Sequence, residues 1–155
     1  MRIIIFFFLV GINGFYTRAQ QIRPLADTYT VVYESPNPNY FYAYSPGIVR
    51  LNSGRIIATY DVSGKEVPVR ERGRISISDD GGKTWQQMGA FPFMHARPFV
   101  SGNSIYVLGH NRDLIIIRSD DDGKTWSEPV KLTEGQDWHQ APCNVHYANG
   151  CVYLV

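Results

Sequence analysis

The sequence predicts an all-β fold of the propeller type. Two observations carry that expectation: a turn motif that occurs twice, and a strand–turn–strand pattern that occurs three times. The motif is Ser78-Asp79-Asp80-Gly81-Gly82-Lys83-Thr84-Trp85, then Ser119-Asp120-Asp121-Asp122-Gly123-Lys124-Thr125-Trp126, starting 41 residues apart. Both copies read S-x-D-x-G-x-T-W and follow apolar runs, Ile75-Ser76-Ile77 and Leu114 to Ile117. Self-similarity at about 40 to 50 residues, built from short strands, is the signature of propeller blades. Composition agrees: 14% aromatic residues, 14 glycines and 9 prolines suit a turn-rich all-β chain.

Residues 1–19 read as a secretory signal, with Arg2 as the positive start, an apolar run from Ile3 to Val10 and a cleavage position at Ala19. The run is short for a membrane span. A secreted or periplasmic protein is expected, with no stable membrane span after signal removal. Residues 20–155 are then read as a partial propeller domain. Thr28 to Tyr33 reads as an early strand.

Ser45 to Tyr60, Arg97 to Leu108 and Ala141 to Leu154 each hold a strand, a Gly/Asn/Ser turn and a second strand. Each opens on an X-Pro pair, and proline is tolerated at the start of a strand. These are read as the first two strands of three blades, and the repeated motif as the turn between strands three and four. Blades are expected at about residues 44–92, 97–132 and 141–155. The third holds only two strands by Val155, and a closed ring needs at least four blades. The expectation is about two and a half blades of a six- or seven-bladed ring, an N-terminal piece of a longer protein and inactive by itself. The other reading is a short protein that closes its open edges by self-association.

In each motif, aspartate and serine are suited to hold a tight turn by bonding nearby backbone groups. Gly82 and Gly123 supply backbone freedom, and Trp85 and Trp126 are large apolar plugs. An EF-hand calcium loop would need a glutamate at its twelfth position, and that pattern is absent. No metal and no organic cofactor are expected.

The net charge of +1 gives no bulk attraction to nucleic acid. Cys143 and Cys151 meet an oxidising compartment if the chain is exported. With Asn149-Gly150 as a two-residue turn, position 148 faces 151, so Cys143 is poorly placed to bridge Cys151.

The repeated motif resembles the Asp-box (BNR) repeat of the sialidase superfamily, over roughly residues 27 to 155. The resemblance implies a sialidase-like β-propeller. It implies a structural role for Ser78, Asp80, Gly82, Thr84 and Trp85, and for Ser119, Asp121, Gly123, Thr125 and Trp126.

Blade topology puts the motif turns on one end of the ring and the strand-one entries and strand-two exits on the other. That second end collects Tyr42, Tyr44, Ser45, His95, Arg97, Trp138, His139 and Gln140. It also collects the loops from Asp61 to Gly73, with Arg70 and Arg72, and from Gly109 to Asp113. Arginine grips carboxylate or sulfate, Tyr and Trp stack on sugars, and histidine exchanges protons near neutral pH. The expected partner is an anionic oligo- or polysaccharide. His95, Arg97, Arg112 and Trp138 are candidate substrate-binding residues. His110, His139, Tyr44 and Asp61 are candidate catalytic residues. His146 lies within a strand and reads as structural.

Three functions are compatible with this mouth. The resemblance implies an exo-α-sialidase-type glycoside hydrolase. Sialidases open their first blade with an arginine that Tyr44 replaces here, and carry an acid aspartate in the following loop. That loop, Ser63 to Gly73, has none, so Asp61, Glu66 or Glu71 would substitute. Certain sialidase-like propellers, the ulvan lyases among them, resemble this chain more closely at the mouth. A polysaccharide lyase would use His110 or His139 as base, Arg97 or Arg112 on a uronate carboxylate, and Tyr44 nearby. A non-catalytic carbohydrate-binding propeller is the third reading.

Overall fold

The computed structural model describes residues 28–139 and 144–154. The expected signal segment, Gln140 and Cys143 lie outside the described residues. The described residues form ten strands and one 3₁₀ turn: β1 Tyr42–Arg50, β2 Ile56–Ser63, the turn Val69–Glu71, β3 Gly73–Ser78, β4 Gln86–Phe91, β5 Met94–Ser101, β6 Ser104–Asn111, β7 Asp113–Ser119, β8 Val130–Lys131, β9 Val145–Ala148 and β10 Cys151–Leu154. They make two four-stranded antiparallel sheets, β1-β2-β3-β4 and β5-β6-β7-β8, and the hairpin β9-β10. Each sheet is a blade in the expected strand order.

Isoleucine and valine dominate the inner strands because branched side chains pack well on a pleated surface. Ile57, Ile75, Ile77, Phe91 and Phe93 of blade one join Ile105, Val107, Ile115 and Ile117 of blade two in a single buried cluster. Burying one such side chain contributes about 2 kcal/mol, so the seam between blades is part of the core. The strands β1 and β5 run side by side with little space. A Cβ on Gly47 would sit 2.5 Å from Pro98 Cδ and 2.6 Å from Thr59 Oγ1, and Thr59 Oγ1 donates to the Ala96 carbonyl at 3.1 Å.

The two motif loops have nearly identical bonding. In the first, Asp80 Oδ1 accepts from the Ser78 hydroxyl (2.8 Å) and from the Lys83 and Thr84 amides (both 2.9 Å), and Oδ2 accepts from the Thr84 hydroxyl (2.6 Å). In the second, Asp121 accepts from Ser119 and Thr125 at 2.6 to 2.9 Å. Each serine oxygen also receives a glycine amide, Gly82 at 2.8 Å or Gly123 at 2.9 Å. Trp85 and Trp126 donate to those same glycines' carbonyls, and Trp126 packs against the shared core. These donors hold both aspartates below the usual carboxylate range, Asp121 at about 2.

Residues 28–33 differ from the expectation of a strand. They pair with no ladder among the described residues, and lie along blade one through Thr30 Oγ1 to the Gly82 carbonyl (2.6 Å) and Tyr33 against Tyr60 (5.3 Å). An apolar alternating run becomes a strand only when an edge is there to take its amides. In the third hairpin, Ala148 faces Cys151 across a turn with left-handed Asn149 and Gly150, as the Asn-Gly pair predicts. Cys151 is exposed and makes no disulfide among the described residues. No helix among the described residues is long and apolar enough to cross a membrane.

Candidate functional site

Both blades interrupt the β1–β2 and β5–β6 ladders at the same point. The register slips between Tyr44 and Gly47 in blade one and between Met94 and Arg97 in blade two. The first residue of each bulge is left-handed, Ser45 at φ 51° and His95 at φ 55°. Bulges re-aim side chains and are common beside active sites. The bulges also set the true repeat register. Ser45 corresponds to His95, so Pro46 corresponds to Ala96, and the X-Pro pairs matched in the sequence are offset by two residues.

Opposite the bulges, Tyr44 faces Asp61 and Met94 faces His110. Strand-one entries and strand-two exits therefore meet at one end, away from the motif loops. Three imidazoles converge there: ring centres lie 5.1 Å apart for His95–His110, 5.3 Å for His95–His139 and 5.7 Å for His110–His139. His110 Nε2 and His95 Nδ1 share a hydrogen bond of 3.2 Å. The Tyr44 ring meets His95 edge-on at 5.9 Å, and Tyr42 packs beside Tyr44 at 5.9 Å. Met94 Sδ accepts from the Tyr44 hydroxyl (3.7 Å) and from Arg72 Nη1 (3.8 Å). No group of three His, Cys, Asp or Glu side chains among the described residues is arranged to hold a metal ion.

Asp61 lies beneath the cluster, 1% exposed. Its Oδ2 accepts the His95 backbone N–H at 2.7 Å, and its Oδ1 has no hydrogen-bond partner. Burial raises its pKa above the ordinary carboxylate value, against the His95 amide and ring and the nearby Ser45 hydroxyl. Burial, then the Asp61 and Tyr42 side chains, also raise the Tyr44 phenol, with Arg72 opposing. Tyr44 is thus a protonated donor at neutral pH. His110 is 6% exposed, and burial followed by His95 and His139 lowers its pKa below the usual imidazole value.

The structure thus brings together Tyr44, Asp61, His95, His110 and His139. The other candidates make their bonds elsewhere. Arg97 donates through Nη1 to the Pro46 carbonyl at 2.8 Å, across the seam between blades. Arg112 is exposed and pairs with Asp137 at 2.9 Å. The Trp138 amide donates to the Arg112 carbonyl (2.8 Å), and its indole, 45% exposed, donates to Gln136 (2.8 Å). Arg72 is the arginine nearest the cluster. Its place in the loop ahead of β3 was the available signal, and Met94 gave none.

No protein-family model matches the chain. A curated sialidase of Bacteroides fragilis (strain YCH46) is 28% identical in an alignment covering 57% of this chain and 24% of that protein. The chain therefore spans about a quarter of the length of that relative. Among solved structures, an alpha-L-arabinanase of Penicillium chrysogenum, complexed with arabinobiose, superposes with a TM-score of 0.55 at 18% identity, over 76% of this chain and 40% of that one. The fold is that of a sialidase-like β-propeller.

Proposed function

We propose that this chain supplies one sector of the glycan-binding mouth of an exported propeller glycoside hydrolase that acts on an anionic sugar. The observation that carries the reading is the convergence of His95, His110 and His139 with Tyr44 and Arg72 at one end of two neighbouring blades. The arginine offers a cation for a carboxylate or sulfate, the tyrosine a neutral donor, and the imidazoles nitrogens able to take or give a proton. The sialidase relative supports hydrolysis of a terminal glycosidic bond, and the motif loops are consistent with Asp-box turns.

A second reading is favoured by the burial of Asp61. Of the three candidate acids, Asp61 is enclosed, Glu71 is paired with Arg70 and Arg74, and exposed Glu66 lines a separate hollow with Tyr40, Phe41 and Lys65. Within the cluster the groups that reach solvent are the His95 and His139 imidazoles and the Tyr44 phenol, which suit β-elimination. In that reaction a base takes the proton α to a uronate carboxylate, a cation neutralises that carboxylate, and an acid protonates the leaving oxygen.

One set of assays separates the readings. The whole protein to which this chain contributes its sector is incubated with an aryl sialoside, an aryl arabinofuranoside and a uronate polysaccharide. Release of the aryl alcohol from the sialoside supports the hydrolase. Ultraviolet absorbance from a new unsaturated uronate replaces it with the lyase. Glycan binding without turnover leaves a non-catalytic binder. Fractionation of the expressing cells tests export.

A further inference from the structure

We infer that His95, rather than the more buried His110, is the imidazole that exchanges a proton with substrate, and that His110 and Asp61 are its positioning residues. This rests on the glycan-processing reading of the same mouth. Each contact of His95 leads to that assignment. Its backbone sits at φ 55°, a conformation that non-glycine residues adopt rarely and that clusters at functional sites. The Asp61 carboxylate holds that conformation by accepting the His95 N–H at 2.7 Å from the neighbouring blade. Ser45 occupies the same left-handed position in blade one and carries no imidazole. The repeat therefore provides the bulge, and blade two uses it to present a ring.

The ring is fixed on three sides, by Tyr44 edge-on, by His139 and by His110. Its only hydrogen bond among the described residues joins Nδ1 and His110 Nε2. His110 is enclosed and neutral at pH 7, so one of its ring nitrogens is an acceptor, and with the proton on its Nδ1 its Nε2 accepts the His95 Nδ1–H. That arrangement leaves a lone pair on His95 Nε2. A base oriented by a third group is the general logic of nucleophile–base–orienter sites. The step is one proton transfer. An N–H bond forms at His95 Nε2, an O–H or C–H bond of water or substrate breaks, and its electron pair stays behind. The imidazolium that results keeps Nδ1–H on His110. Groups facing His95 that set its pH response are Tyr44, Asp61, His110 and His139, with Arg72 behind Met94.

The test pairs kinetics with nitrogen NMR of the histidine rings. His95→Gln is expected to lower kcat by about 10²-fold or more, with glycan affinity little changed. His110→Gln, which keeps an acceptor near the position of Nε2, is expected to retain more activity than His110→Leu. His110→Leu is expected to move the acidic limb of the pH profile, which a purely packing role would leave in place. In the parent chain His95 is expected as the Nδ1–H tautomer, reverting to Nε2–H in His110→Leu. A parent His95 with its proton on Nε2, or full activity in His95→Gln with loss in His139→Gln, overturns the inference. A whole parent protein with the expected tautomer and no turnover of any glycan overturns the hydrolase and lyase readings instead, and with them proton transfer by His95.

Discussion

Arg55 grips Asp79 with two parallel hydrogen bonds, Nε to Oδ1 at 2.6 Å and Nη2 to Oδ2 at 2.8 Å, and turns Nη1 to the Asp122 carbonyl at 2.9 Å. One guanidinium thus ties the first motif loop to the second across the seam. In blade two, Ser104 takes the place of Arg55 and donates to Asp120 at 2.5 Å, while Arg118 grips the same carboxylate.

Replacing Arg55 by lysine keeps the charge and removes the planar fork. Arg55→Lys is expected to lower the thermal midpoint by roughly 2 to 4 °C, and Arg55→Ala by more. Both shifts should shrink in 0.5 M salt, because the Asp79 carboxylate is largely exposed although the Arg55 side chain is not. Calorimetry in low and high salt reads this directly.

Gly47→Ala places a methyl against Pro98, Thr59 and the Ala96 carbonyl. Backbone and proline ring yield little, so the expected cost is about 1 to 3 kcal/mol. Gly89→Ala, where a Cβ meets nothing within 4 Å, serves as the control. Urea unfolding of the two variants should separate them clearly.

Trp126 packs on the core shared by both blades, whereas Trp85 does not join that cluster. Trp126→Ala is expected to cost about 3 kcal/mol or more, and Trp85→Ala less. Equal losses in chemical denaturation would contradict the wedge role of Trp126.

Acid stability has two opposed components. Asp80 and Asp121 have depressed pKa values when folded, so their contribution is present above the unfolded value of 3.8. It is lost as pH falls, for Asp121 through about 2. Asp61 is raised when folded, so its contribution is full below 3.8 and is lost as pH rises through its folded value. Asp61→Asn keeps an acceptor for the His95 amide and removes the titration. Its stability relative to the parent is therefore expected to improve as pH rises from 4 to 8, measured by urea midpoints across that range. A constant difference would show that Asp61 is not perturbed by burial.

The blades were legible because their determinants are local. The S-x-D-x-G-x-T-W loops bond almost entirely within themselves, and an alternating apolar run marks β3 and a continuous one β7 without help from distant residues. The convergence of Tyr44, Asp61, His95, His110 and His139 also followed from topology, which fixes the end to which each strand exit points. What topology could not give was depth. Asp61 and His110 look like any loop-proximal polar residue in the sequence, yet the seam encloses them. Arg97 is drawn to the Pro46 carbonyl, a contact 51 residues away. The bulge register was hidden because the prolines at 46 and 98 suggested an equivalence that the backbone at Ser45 and His95 overrides.

The bond from the His95 amide to Asp61 joins two blades, while the bond from His95 to His110 lies within one. The chemistry at the mouth is consequently a reporter of blade docking. A substitution that loosens the seam without melting either sheet, such as Gly47→Ala, would free His95 to relax toward an ordinary strand conformation. Reactivity would then fade ahead of the circular-dichroism signal on warming. In that sense the mouth works as an assembly sensor, competent only when neighbouring blades are in register.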